Sequence, residues 1–462
     1  MSASPPPNGM HVRASQILRV RKIWLLPVCI AALFVAVMSL IYFGSVVNPT
    51  GHVHGLPVDV VNEDTGATAH GQKLKVGAEI VSALEQSSSV TTRLKLGNAT
   101  LAQAKTVMNR GGAYATIVIP ATLSRSVLVS TGTGGDPSGV PPAASVELLE
   151  NSRLGSLGVN LAAGVVSKAF TQISPEVGTK LKPLVTASAA ANPLMAAQVA
   201  DPVALMPSTY EPLPDHSALG LSAFYVALLA IMAGFIGSTL INSSIDSGLG
   251  YGATELGPHW RQRRPVAINR RQTLLVKWCA AVVAAPVLTG ILLLVSVGLL
   301  HMYAPHVLLL WLLTAFAALM VSVGTLTLLA TFGSLGQLLA MILLVYLSLA
   351  SSGGTVPIQA VPGFFGVVAH VEPLRQVLLG TRAIMYFGAR GDAGLTHSFV
   401  LIACELVFWA VLGFAATSWY DHKKLYRLAP ELFASISRAI DRVVQENAQS
   451  AAEPQPGVAS ES

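Results

Sequence analysis

Residues 278–371 read WCAAVVAAPVLTGILLLVSVGLL (278–300), HMYAPH (301–306), VLLLWLLTAFAALMVSVGTLTLLAT (307–331), FGS (332–334), LGQLLAMILLVYLSLASS (335–352) and GGTVPIQAVPGFFGVVAHV (353–371). No Asp, Glu, Lys or Arg occurs in these 94 residues. A water-soluble surface needs charge to stay dispersed, so no soluble fold accommodates such a run. The rest of the chain agrees. Of 462 residues, 29 are basic and 23 acidic, 11% charged, against roughly 25% in an ordinary soluble domain. This excludes a soluble enzyme, a disordered chain and a nucleic-acid partner. The apolar runs are continuous rather than alternating, which argues against a β-barrel.

Working outward, about 20 apolar residues cross about 30 Å of hydrocarbon. Six segments qualify: 23–44, 219–242, 278–300, 307–331, 335–352 and 398–420. HMYAPH and the Phe332-Gly333-Ser334 break read as tight turns joining antiparallel helices. The expected fold is a multi-span α-helical membrane protein, six transmembrane helices with an α+β extracytoplasmic domain between the first and second. Orientation follows from the cytosolic preference of Lys and Arg. Arg13, Arg19, Arg21 and Lys22 precede the first span; Arg261, Arg263, Arg264, Arg270, Arg271 and Lys277 fall in the 246–277 loop; Lys423, Lys424 and Arg427 follow the sixth span. All three lie inside if both termini are cytosolic. The expected organisation is a basic N-terminus (1–22), the first span (23–44) as an uncleaved signal anchor, the external domain (45–218), a five-helix membrane domain (219–420) and a cytosolic tail (421–462). That tail is amphipathic from Pro430, with Leu432, Phe433, Ile436, Ile440, Val443 and Val444 on one face, and disordered over its last ~15 residues. Cys29, Cys279 and Cys404 all fall in spans, where they read as small buried apolar side chains.

The external segment of 174 residues holds 11 basic and 12 acidic residues and no cysteine. Strands are expected at 56–61, 90–96, 114–119 and 145–150, helices at 71–86, 98–109 and 153–171, and a loop at 131–142. The Pro- and Ala-rich 183–215 stretch leads back to the membrane. No G-x-S-x-G elbow and no set of nucleophile, base and orienter occurs there. His52 and His54 lack a third metal ligand. No catalytic residue, metal or cofactor is implied.

NPTGHVHGLPVDVVNEDTGA (48–67) beside the first span resembles the start of the YhgE/Pip and nitrosoguanidine-resistance membrane proteins, close to the type-2 ABC exporter permeases. GGAYATIVIPATLSRSV (111–127) and SVELLENS (145–152) resemble segments of the same proteins. SSGGTVPIQAVPGFF (351–365) is similar to the external re-entrant segment of type-2 permeases. The resemblance covers roughly residues 12–425. It implies a permease in the bacterial cytoplasmic membrane, exporting amphipathic or lipid-like compounds, toxic ones included. Such permeases work as homodimers with separate ATPase subunits, which contact the loop corresponding to 246–277. This chain has no G-x-x-x-x-G-K-[ST] loop, so an ATPase would be another chain. The same relatives imply an alternative, a non-transporting envelope protein acting as phage receptor or secretion scaffold.

Three features carry candidate function. In the unusually apolar outer loop 353–397, uncharged over 353–371, Pro357, Pro362 and Gly353-Gly354 forbid one continuous span. A re-entrant half-helix near 359–370 fits, followed by a helix from Pro373. On that helix Arg375 and Arg382 lie seven apart on one face, either gating an anionic or headgroup partner or snorkelling to lipid. Glu405 is the one formal charge well inside an expected span, either a proton or substrate site or a structural hydrogen bond. Arg261, Arg263, Arg264, Arg270 and Arg271, with a short helix after Pro265, either couple to an ATPase or meet anionic lipid.

Overall fold

The computed structural model describes residues 21–69, 72–132, 143–256, 259–425, 427–428 and 430–452. Arg13 and Arg19, most of the 131–142 loop and the tail beyond 452 lie outside the described residues. Six helices are long and apolar enough to cross a membrane: Leu25–Val46, Ser222–Gly248, Arg270–Leu299, Val307–Phe332, Ser334–Ser351 and Leu395–His422. They are called the first to sixth spans. The second helix runs six residues past the expected end at 242, and the third starts eight residues before 278. Asp246 and Lys277 therefore sit on helices, where sequence hydropathy had closed the spans before reaching a charge. Arg270 and Arg271 open the third span rather than lying in a loop.

The fourth span is the most enclosed, packed against the second, third, fifth and sixth. The turn into the fifth is a single residue, Gly333 at φ +62°, a left-handed conformation that costs little without a Cβ. The first span packs mainly against the fifth, where the Phe34 and Tyr346 rings meet edge-on at 6.2 Å, and its Ile41 and Val46 pack against the domain core. The three cysteines are exposed on the outsides of their helices, contrary to the expected burial. An outward face in a bilayer is as apolar as an inward one, so composition could not separate the two.

Between the first and second spans lies the α+β domain. Its strands are β1 (Leu56–Asn62), β2 (Ala67–Ala69), β3 (Gln72–Leu74), β4 (Leu94–Asn98), β5 (Ala115–Ile119), β6 (Ala144–Glu150) and β7 (Val203–Thr209). β2 and β3 form a small hairpin; the others form one sheet in the order β4-β1-β5-β6-β7. Only the β5–β6 pairing is antiparallel. The parallel pairs require crossovers, supplied by helices α1 (Val76–Gln86), α2 (Leu101–Asn109) and, with shorter turns, the 26-residue α3 (Ser156–Leu181). α2 starts in a capping box, the Thr100 side chain and Gln103 exchanging bonds with each other's backbone. α1 and α3 cover one face, with Ile80, Val166 and Phe170 buried against Val58, Ile117 and Val146.

Two local expectations fail, and the stretch that leads back to the membrane holds regular structure. The 90–96 strand starts late: 88–91 make a helical turn that buries Val90, and pairing begins at Leu94. The 183–215 lead-back contains two short helices and β7, whose exposed Met206 and internal Pro207 suit an edge strand. β3 uses residues 72–74, expected at the start of the 71–86 helix.

Candidate functional site

The bundle has two charged regions, one under the α+β domain and one at the opposite end, called here the domain side and the far side.

On the domain side the chain leaves the fifth span at Ser351 and turns at Gly353, φ +72°. Pro357 and Pro362 break it into a 3₁₀ turn, Ile358–Ala360, and a helix of six residues, Gly363–Val368, shorter than the expected half-helix. Helix α4 (Pro373–Tyr386) then packs against the second, fourth and sixth spans. Its start is fixed by Pro373 in the first turn and by Glu372, whose carboxylate accepts the N–H of Leu374 (3.0 Å) and Arg375 (2.8 Å). Thr381 donates to the Ala223 carbonyl of the second span at 3.2 Å.

The domain sits on this segment. Val356, Ala360, Val361 and Phe365 belong to the same apolar core as β1, β5 and β6. The His54 N–H donates to the Gln359 carbonyl at 2.9 Å. The absence of charge in 353–371 thus has a cause beyond contact with lipid: one face of the segment is domain core. The other face, Phe364, Val367 and Val371, stays exposed.

Three arginines meet at this seat. Arg153, just after β6, is buried and well partnered. It donates to Asn151 Oδ1 (3.2 Å), Asn109 Oδ1 (3.1 Å) and the Tyr386 carbonyl (3.4 Å), and lies over the Tyr210 and Phe387 rings. Asn151, fully buried, also donates to the Met108 and Ala113 carbonyls. Arg382 is only 7% exposed; among the described residues its one hydrogen bond, 3.4 Å long, goes from Nη2 to the Gly354 carbonyl, and its Nε–H has no acceptor. Arg375 is half-buried. Neither Arg375 nor Arg382 has an ion pair among the described residues, and burial pushes both guanidinium groups below their usual range. Glu405, on the sixth span, is half-buried with no hydrogen bond or ion pair among the described residues.

The far side is built differently. After the second span comes a hairpin of β8 (Thr254–Leu256) and β9 (His259–Arg261). The expected helix after Pro265 does not form; 262–269 run as an extended strap. Its backbone groups are held elsewhere. The Val266 N–H donates to the Leu249 carbonyl at 3.0 Å, and the Tyr251 hydroxyl donates to the Val266 and Ile268 carbonyls. Asp246 accepts both Nη groups of Arg427 at 2.7 Å and Lys277 Nζ at 2.7 Å. Asp421, at the end of the sixth span, caps the third, accepting the N–H of Arg270 (3.0 Å) and Arg271 (3.1 Å). Arg264 reaches Asp441 at 3.3 Å on the tail helix Pro430–Ala452. Arg263 and Arg264 are exposed; the Arg261 side chain lies outside the described residues. Cavities of about 570 and 470 Å³ flank this junction, and both are lined by Arg270 and Arg427.

Arg153, Asn151, Asp246, Lys277 and Asp421 were not singled out by sequence. Their signal is the company each keeps in three dimensions. In the chain they are a strand-end Asn-Ser-Arg and charges at span edges.

Among known proteins, the profile of the ABC-2 family transporter proteins matches residues 22–415. A crystal structure of a domain ascribed to an ABC type-2 transporter from Thermotoga maritima MSB8 is similar over 33% of this chain and 85% of that one, at 21% identity and a TM-score of 0.24. No curated protein matches.

Proposed function

The chain belongs to the ABC-2 family of transporter proteins, and on that premise we propose that it is an export permease for amphipathic or lipid-like compounds, driven by a separately encoded ATPase. On this reading it lies in the bacterial cytoplasmic membrane as a homodimer. The α+β domain is outside and both termini are cytosolic, so the far side faces the ATPase. The narrower likeness to YhgE/Pip and drug-resistance proteins belongs to the same proposal.

The observation that carries it is the far-side junction. Asp246 and Asp421 join the 246–277 strap, the tail and the second, third and sixth spans into one unit. A subunit pressing on the exposed Arg263 and Arg264 would move three spans together. Arg261, Arg263, Arg264, Arg270 and Arg271 are its coupling residues: Arg263 and Arg264 offer the docking surface, and Arg270 and Arg271 anchor the strap to a helix start. On the other side Pro357, Pro362, Arg375 and Arg382 form the outer gate, and Glu405 is a substrate or proton contact between them.

The test is reconstitution of the full chain with any ATPase found encoded beside it. ATP hydrolysis should rise on complex formation, and Arg263→Glu with Arg264→Glu should abolish the rise. An unstimulated ATPase, together with unchanged retention of amphipathic dyes in deletion cells, would overturn the reading and favour a non-transporting envelope protein.

A further inference from the structure

In the far-side network Lys277 and Arg427 share Asp246 and Arg270 donates to the Leu425 carbonyl, and Arg153 has three acceptors. Arg382 departs from that pattern at comparable burial. A buried guanidinium with one long bond and a free Nε–H is costly, because desolvation is repaid only by a paired and hydrogen-bonded anion. Arg375 is its neighbour, close enough for each charge to disfavour the other. The acid at the start of the same helix, Glu372, is engaged by the backbone of residues 374 and 375.

Both arginines face the turn at Gly353-Gly354. Arg375 Nη1 lies 3.3 Å from where a Cβ on Gly353 would stand, and Arg382 Nη2 3.4 Å from the same point on Gly155. From the domain comes Tyr114, buried, whose hydroxyl donates to Gln359 Oε1 at 3.5 Å. Burial pushes its phenol up, while the charges of Arg382 and Arg375 both pull it down, so the hydroxyl senses both. Three donors from the domain and the bundle thus converge where Glu372 offsets part of the Arg375 charge and neither guanidinium has an ion pair among the described residues.

We propose that Arg382, Arg375 and the Tyr114 hydroxyl form a binding site for the phosphate or carboxylate head of an acidic amphiphile, at the seam between domain and bundle. This rests on the export reading above and narrows its substrate class from amphipathic compounds to acidic ones. Planar guanidinium groups suit such heads because they donate in pairs. The adjoining cavity, lined by Gly155, Gly158, Gly353, Gly354, Thr355 and Pro357 among others, is about 20 Å³, room for roughly one water. Admitting a phosphate requires the 353–357 turn or the 154–158 loop to shift. Gly155 (φ +107°) and Gly353 (φ +72°) place left-handed hinges in both.

The test is thermal unfolding of the purified full chain in neutral detergent with phosphatidic acid, phosphatidylcholine or inorganic phosphate. Phosphatidic acid should raise the midpoint of the native protein by several degrees, and phosphatidylcholine should not. Arg382→Gln should weaken the phosphatidic acid response roughly tenfold or more, the loss of a charge-assisted hydrogen bond. Its ligand-free midpoint should equal or exceed that of the native protein, because an unpaired buried charge has gone. Tyr114→Phe, which removes only a hydroxyl, gives a second reading, with affinity reduced several-fold and folding unchanged. Arg153→Gln should lower the midpoint yet keep the ligand shift. An Arg382→Gln protein that melts well below the native one, or responds like it, overturns the proposal. An equal response to inorganic phosphate assigns the site to free anions and overturns the amphiphile. No response in native protein that still stimulates its ATPase sinks this site and leaves the export reading standing.

Discussion

The two ends of the bundle solve the same problem, several cations out of water, in opposite ways. On the far side one carboxylate, Asp246, serves two cations at once, with Lys277 Nζ also reaching Asn242 Oδ1 at 2.7 Å. On the domain side Arg153 is held by amide and carbonyl oxygens and two aromatic faces, and Arg382 by almost nothing. Where the fold needs rigidity it supplies acceptors. Among these buried cations, the guanidinium with an unpartnered nitrogen lies at the seam between domain and bundle, and that contrast separates structural charges from ligand-binding ones. Substitutions on either side can break it.

The largest effect is expected at Asp246. Asp246→Ala leaves Lys277 and Arg427 enclosed without their acid, and breaking a buried pair by removing one partner costs about 3–5 kcal/mol. Thermal unfolding should show a large drop, and limited proteolysis should release the tail. A change under about 1 kcal/mol would mean that the far-side charges are solvated and that the contrast with Arg382 is false. Asn151→Ala comes next. It strands two buried carbonyls and one Arg153 donor, each unsatisfied group costing about 1–3 kcal/mol. Its signature is local: hydrogen exchange should rise where the domain meets the 386–387 backbone, with the far side unaffected.

These expectations show what was legible from sequence. The six spans and four of the five strands of the main sheet follow from periodicity and length, because burying an apolar run is a property of the run itself. Arg375 and Arg382 were visible as a pair seven apart on a helix opened by Pro373. Their enclosure was not, since it depends on Val356 and Phe365 packing into a core whose other members lie some 200 residues earlier. The uncharged 353–371 stretch read as membrane contact for the same reason: apolar contact with lipid and with a distant strand leave the same composition. The strap after Pro265 was misjudged because helix propensity is local, whereas its backbone bonds go to Leu249 and Tyr251.

A smaller effect is expected at Asp421. Asp421→Asn removes an anion from the start of the third span, and capping and dipole interactions of this kind contribute about 1 kcal/mol. Asn269 still caps the Gln272 N–H at 3.2 Å, so the helix should persist with a modestly lower midpoint. A loss as large as that of Asp246→Ala would place the main anchor of the strap at the third span rather than at the tail.

The smallest effect on stability belongs to Arg264. Its bond to Asp441 joins two side chains that are about half exposed or more, and surface pairs contribute about 0–1 kcal/mol. Arg264→Ala should leave the unfolding midpoint unchanged within error. If Arg263 and Arg264 face an ATPase, the same substitution should still weaken stimulation of ATP hydrolysis, more so at low salt, where exposed charges act over a longer range. That pairing of no structural effect with a functional one would put Arg264 in the same class as Arg382. Each is a cation whose protein partners are too weak to account for it, one in water and one buried. A fall in stability with no change in stimulation would return Arg264 to the structural charges and leave Arg382 as the exception among the arginines compared.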